Sequence, residues 1–198
     1  MDDRTAQAVA KGLQAGEVES WREMYDAFAP AIWRMVTRWL SPSSAEVADV
    51  VQETFLAAAR SARNFDSSKG TLWWWLCGIA RHQMALHCRR TARRREIVGE
   101  LPDIELDDPP TAWDANPLEA AALSEQASVV REVLLDLPDE YALLLSAKYF
   151  DDISVEQLAA DTRSSEVAVR SKLARARQAF RGVFERRVRT SQASSLTE

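Results

Sequence analysis

Between Val47 and Ala59 the apolar residues Val47, Val50, Val51, Phe55, Leu56 and Ala59 recur close to the i, i+3, i+4, i+7 spacing of a helix that buries one side. The other side of that helix carries Asp49, Gln52 and Glu53, a compact acidic and amide-bearing surface. A pattern of this kind commits its segment to packing against other helices. Only 6 glycines and few alternating apolar runs argue against an all-β design. The expected fold class is all-α, with two helical domains joined by an acidic, Pro-containing linker.

Gly and Pro divide the chain. A first helix is expected over Thr5 to Gln14, ending near Gly16, and a second over Ser20 to Leu40, with Pro30 predicting a kink or break around Ala29. Ser41 to Ser44 offers N-caps for a third helix, Ala45 to Ala62. Asn64 to Gly70 is a polar loop holding one aromatic, and a helix follows from Thr71 to Arg95. From Gly99 to Asn116 prolines stand among Asp103, Glu105, Asp107 and Asp108, a composition that forbids regular helix and extends a chain. Helical patterns resume from Leu118 to Leu135 and, with Pro138 in the first turn, to Phe150. The expected organisation is a domain over 1–98, a linker over 99–117, a second domain over 118–190 and a disordered tail over 191–198.

The net charge of −5 speaks against a nucleic-acid binder only as an average. Arg163, Arg170, Lys172, Arg175, Arg177, Arg181, Arg186, Arg187 and Arg189 crowd one segment, and Arg89, Arg90, Arg93, Arg94 and Arg95 another. Local patches determine where phosphates bind. No apolar run approaches the ~20 residues that span a bilayer. The N-terminus lacks a secretory layout, and Cys77 and Cys88 make no disulfide framework, so a reducing cytoplasm is the expected compartment.

Ile153 to Arg177 reads as a helix-turn-helix. Ser154 and Gln157 form a capping box, Ser164 or Ser165 caps the second helix, and Val169, Leu173, Ala176 and Phe180 make its buried stripe. Its other faces display Arg170, Ser171, Lys172, Arg175 and Arg177, groups suited to base edges and phosphates in a major groove. The alternative is a basic solvated surface on an ordinary helical hairpin.

Taken with this unit, Trp21 to Pro30 and Ala48 to Phe55 resemble the first block of the extracytoplasmic-function sigma factors of RNA polymerase. Phe65 to Arg81, Phe-Asp-Ser-Ser-Lys-Gly-Thr-Leu-Trp-Trp-Trp-Leu-Cys-Gly-Ile-Ala-Arg, resembles their promoter-melting block. Leu137 to Glu140 with Ser154 to Arg177 resembles the block that reads the upstream promoter element. The likeness runs in the family's order from Val18 to Arg181.

The resemblance implies a bundle of sigma region 2 and a helix-turn-helix of sigma region 4. It assigns Asp49, Gln52, Glu53 and Leu56 to the beta-prime clamp helices of core polymerase, with the beta flap as a second contact. It assigns Asn64, Phe65, Asp66, Ser67, Ser68, Lys69, Trp74 and Arg81 to the −10 element, where a flipped base needs a polar edge reader and an apolar wall. Phe65 fits either that wall or an anchor in the core. Of Trp73, Trp74 and Trp75, at least one belongs to the core, since successive helical residues lie about a hundred degrees apart. Arg81, Arg89 and Arg90 follow backbone phosphates in this reading. Ser165, Arg170, Ser171, Lys172, Arg175 and Arg177 fall to the −35 element. The acidic linker corresponds to the segment that threads toward the polymerase active-site and RNA-exit channel, and a plain spacer is its alternative. Promoter DNA and an anti-sigma factor complete the implied partners, with no cofactor, metal or membrane insertion.

Departures lie in the turn. Where the family usually has Gly, this chain has Arg163, followed by Ser164 in place of an apolar residue, with Thr162 for Leu and Val167-Ala168 for a Gly-Thr pair. An Arg in a left-handed turn costs on the order of 1 kcal/mol relative to Gly. Two other classes compete. A zinc enzyme built on Cys77, His82, His87 and Cys88 fails on geometry, since Cys77 and Cys88 lie about 16 Å apart along one helix. A conventional regulator using only the helix-turn-helix remains, and it predicts duplex binding without polymerase.

Overall fold

The structure is a computed structural model that describes residues 3–40, 44–98 and 117–195. The described residues form α1 (Asp3–Ala15), α2 (Val18–Trp39), α3 (Ser44–Ser61), a 3-10 turn (Ala62–Asn64), α4 (Leu72–Val98), α5 (Pro117–Leu135), α6 (Asp139–Tyr149), α7 (Val155–Asp161) and α8 (Glu166–Ser195). Among them no helix is long and apolar enough to cross a membrane. The chain divides into two compact units, Met1–Asp103 with Ile153–Val169, and Ile104–Asp152 with Arg170–Glu198.

In the first unit α1 stops where glycine permits. Gly16 adopts φ +80, and the Glu17 and Gly16 N–H groups donate to the Gly12 and Leu13 carbonyls at 2.9 and 3.1 Å, which closes the last turn. Gly12 is needed for a second reason. A Cβ there would meet Ser20 Oγ of α2 at 1.8 Å, so the two helices approach this closely only over a bare Cα. The bundle core joins Val9 and Leu13 of α1, Met24, Ile32 and Val36 of α2, Val47, Val50 and Phe55 of α3, and Leu72, Leu76 and Met84 of α4. Each set follows the helical period.

The expected break at Pro30 does not occur: α2 runs unbroken through it. Pro30 and Asp26 are exposed, so the hydrogen bond that Pro30 cannot make is missing from the outer side of the helix and not from its packed side. The predicted spans of α3, α4 and α5 hold to within a few residues.

In the second unit α6 buries Ala142 to Ala147 almost continuously, against a core that includes Val133, Leu134, Leu173 and Ala176. Pro138 stands just before α6, at its N-cap, rather than within the first turn. Arg187 fastens α8 to α5, bonding Glu132 and, at 2.7 Å, Asp136. The C-terminal tail was expected to be disordered from 191, yet α8 continues to Ser195. Gln192 and Ala193 favour helix and nothing in this stretch breaks it. The acidic linker of Asp103, Glu105, Asp107 and Asp108 lies outside the described residues.

Candidate nucleic-acid interface

Helix α3 places its polar groups by period alone. Asp49, Gln52, Glu53 and Leu56 recur along one face and are all exposed, Leu56 at 43%, while Val51, Phe55 and Ala58 turn inward. Glu53 pairs with Arg60 at 3.4 Å across solvent. Tyr25 of α2, which the sequence reading did not single out, is half exposed and packs on Phe55 at 4.8 Å between ring centres, widening the apolar spot beside Leu56's helix. A modest apolar patch inside a polar rim is the make-up of an interface that forms and releases.

The loop after the 3-10 turn is exposed at Asn64 and from Asp66 to Lys69. Asp66 accepts from the Ser68 N–H at 2.9 Å and the Ser68 hydroxyl at 2.7 Å, and it pairs with Lys69 at 3.5 Å. The Ser68 hydroxyl and N–H, then Lys69, hold its carboxyl below the usual carboxylate range. The loop tip therefore presents an ordered set of donors and acceptors. Phe65 does not belong to that set. It is 8% exposed and its ring packs on Trp75 at 5.3 Å, so of its two roles the core anchor holds and the base wall does not.

Thr71 Oγ1 accepts from the Trp74 N–H at 3.2 Å at the start of α4. Trp73 packs on Phe28 at 5.6 Å and Trp75 on Phe65, which leaves Trp74 as the indole that no ring among the described residues stacks on. All three are half-buried.

Arg81 was expected beside phosphates, and the structure corrects this. It is 0% exposed, with its guanidinium carbon 5.1 Å from the centre of the Trp39 ring. A fully buried cation over an indole face belongs to the core of the bundle, where solvent-borne phosphate has no access. Arg89, Arg90, Arg93 and Arg94, farther along α4, are exposed. Among the described residues no group of three His, Cys, Asp or Glu could hold a metal ion.

In the helix-turn-helix, Ser154 Oγ accepts from the Gln157 N–H at 3.0 Å. Only this half of the expected capping box forms, because the Gln157 amide donates instead to Asp161 at 3.2 Å. Ser165, not Ser164, caps α8, accepting from the Ala168 N–H at 3.2 Å. Ser164 shares a 2.7 Å hydrogen bond with Thr162. Arg163 sits at φ +47, the left-handed turn position anticipated for it. The Val169, Leu173 and Ala176 stripe is buried, and Phe180 is half-buried, stacked on Phe184 at 6.2 Å.

Arg170, Ser171 and Arg175 are exposed on α8. Lys172 bonds Glu140 of α6, and Arg177 donates to the Tyr149 hydroxyl at 3.3 Å. Those two cations are partly engaged within the unit. Two residues that charge does not single out, Ala174 and Gln178, fill the centre of the outward face, both exposed, and Val167, already noted as a departure from the family, is 73% exposed on the first turn. A valine methyl can meet a thymine methyl and a Gln amide an adenine edge. The outward angle of Gln178 follows from the 3.6 period, but its lack of charge hides it.

The second unit also carries an apolar groove of about 430 Å³ whose lining includes Leu134, Leu145, Tyr149, Phe150, Phe180 and Phe184, together with Arg177 and Arg181.

Residues 24–94 match the family model described as Sigma-70 region 2, and residues 128–180 match that described as Sigma-70, region 4. The extracytoplasmic-function (ECF) RNA polymerase sigma factor SigL of Mycobacterium tuberculosis is 30% identical over 174 residues, covering 88% of this chain and 94% of its own. SigE of Mycolicibacterium smegmatis, named likewise, is 31% identical over 182 residues, covering 91% of this chain and 68% of its own. Among solved structures, the sigma factor RpoE in complex with the anti-sigma factor NepR from Bartonella quintana aligns over 85% of this chain and 98% of its own, with a TM-score of 0.48 at 17% identity. With both region models matched in order, and a relative 30% identical along nearly its whole length, this chain belongs to the ECF sigma factors of RNA polymerase.

Proposed function

We propose that this ECF sigma factor opens its promoters through three exposed surfaces and one apolar groove. As a sigma factor it directs transcription initiation and makes or breaks no covalent bond itself; that chemistry is the polymerase's. The α3 face of Asp49, Gln52, Glu53 and Leu56, with Tyr25 beside it, docks on the beta-prime clamp helices. Asn64 and the tip from Asp66 to Lys69, with Trp74, take the −10 strand as it separates, and the exposed arginines of α4 from Arg89 to Arg94 follow its phosphates. The outward face of α8, from Ser165 through Arg170, Ser171 and Arg175, reads the −35 element, with Lys172 and Arg177 at its margins. The apolar groove of the second unit accepts the beta flap. This reading takes residues 1–98 and 118–190 as the two working modules, sets the protein in the cytoplasm, and gives it an anti-sigma factor that covers these same surfaces.

The observation that carries the proposal is Leu56, held out in solvent amid three polar residues on a helix whose remaining apolar side chains are mostly packed. A run-off transcription assay with core polymerase and a promoter library tests it. Transcripts are expected only when both proteins are present, and Leu56→Asp should abolish them while leaving the fold intact. Tight, sequence-specific duplex binding by the free chain, unchanged by polymerase, would instead establish the conventional regulator.

A further inference from the structure

Helix α1 precedes the region 2 match at 24–94, and no role has yet fallen to it. It is nonetheless firmly placed. Val9, Ala10 and Leu13 are buried, and Gly12 brings it into close contact with α2. From its last turn Gln14 extends its side-chain amide to the loop, where Nε2 donates to the Phe65 carbonyl at 2.9 Å. The partners stand 51 residues apart in the chain, so the bond ties the entry of the loop to a separate helix. Beside it the Phe65 ring is held against Trp75. Phe65 is thus restrained at both backbone and side chain, while the Asp66 to Lys69 tip beyond it is exposed and bonded within itself.

We propose that Gln14 is a positioning residue for strand capture: by fixing the Phe65 carbonyl, it sets the direction from which the Asp66 to Lys69 tip meets the unpaired strand. This rests on the reading of that loop as the capture element. The physical reason is preorganisation. A tip that pivots at its entry must be ordered at the moment of capture, and that ordering subtracts from binding. The chemistry at position 14 is also specific. Its partner is a carbonyl, so a donor serves and an acceptor does not.

The test uses the full chain assembled with core polymerase and carrying Gln14→Glu, Gln14→Leu or Gln14→Lys. Glu keeps the shape but replaces the donor with an acceptor, Leu removes both, and Lys restores a donor. Open-complex formation is read by permanganate reactivity of the melted thymines. Glu and Leu are expected to lower it about three- to tenfold, the worth of one neutral hydrogen bond, and Lys to recover most of it. Affinity for core polymerase should not change, and the melting temperature should fall by no more than the few degrees that one hydrogen bond is worth. If polymerase affinity falls in step with opening, or the melting temperature falls by much more than that, and Lys gives no rescue, Gln14 merely supports the fold and the inference is overturned. A Ser67→Ala, Ser68→Ala double variant separates the two levels. Normal opening by that variant removes the capture reading and this inference with it. Impaired opening there, with normal opening by all the Gln14 variants, removes the positioning role alone.

Discussion

Arg81 and Arg89 lie on one helix with the same charge, and the structure places them in opposite surroundings. Arg81 is fully buried over Trp39, whereas Arg89 is exposed. Arg81→Met keeps most of the apolar stem and loses the cation over the ring, a desolvated contact worth about 2 kcal/mol, against which stands the cost of burying Nε and Nη1 without hydrogen bonds among the described residues. Arg81→Ala removes two further buried methylenes at ~0.8 kcal/mol each, for an upper total near 3.5 kcal/mol before any cavity is counted. In a bundle of about a hundred residues each kcal/mol shifts the midpoint by about 4–8 °C, so Met should lower Tm by up to about 8–16 °C and Ala by up to about 15–30 °C. Thermal unfolding followed by circular dichroism measures this. The second assay is the salt dependence of promoter binding by the holoenzyme. Each phosphate contact contributes about 0.7–0.9 to the slope of log K against log salt, so Arg89→Ala and Arg90→Ala should each flatten the slope by that amount. Arg81→Met should leave it unchanged at a temperature where the protein is folded. A normal Tm for Arg81→Met together with a flattened slope would refute the burial argument and restore Arg81 to the phosphate row.

Two further outcomes follow from the turn and the loop. Arg163→Gly relieves a left-handed backbone strain of about 1–2 kcal/mol and gives back about 0.4–1 kcal/mol in unfolded-state entropy, so a net stabilisation near 0.5–1 kcal/mol is expected by denaturant titration. Arg163→Val, β-branched at positive φ, should destabilise, and the opposite order for the two variants would show that the Arg163 side chain outweighs its backbone. In the loop, Asp66 should titrate below the ordinary 3.8 when followed by NMR, and Ser68→Ala should raise it. Because the folded pKa is depressed, the turn's stabilisation is present above the unfolded pKa and lost as pH falls through the lower, folded one; an Asp66 titration unmoved by Ser68→Ala would discount the Ser68 bonds.

What the sequence made legible was local. The α1 stop at Gly16, the Ser154 cap and the outward set on α3 each depend on residues within a turn or two of one another, and periodicity or capping chemistry reaches that far; the left-handed Arg163 was instead implied by the family resemblance. What it concealed was decided by partners distant in the chain. An Arg in a helix reads as a surface cation until Trp39, 42 positions earlier, is known to cover it. Phe65 stayed undecided between wall and anchor until Trp75 was seen against it. Lys172 read as a surface cation without a partner until Glu140 of α6 was seen paired with its ammonium. Gln178 went unread for a different reason. Charge draws the eye to the flanks of α8, yet base edges are also read by methyls and amides, and Val167 and Gln178 carry those at the outward angle. Helical angle and exposure therefore stand beside charge in the −35 surface proposed for α8. They add Val167 and Gln178 to Arg170, Ser171 and Arg175, and leave Lys172, paired with Glu140, and Arg177, bonded to Tyr149, at its margins.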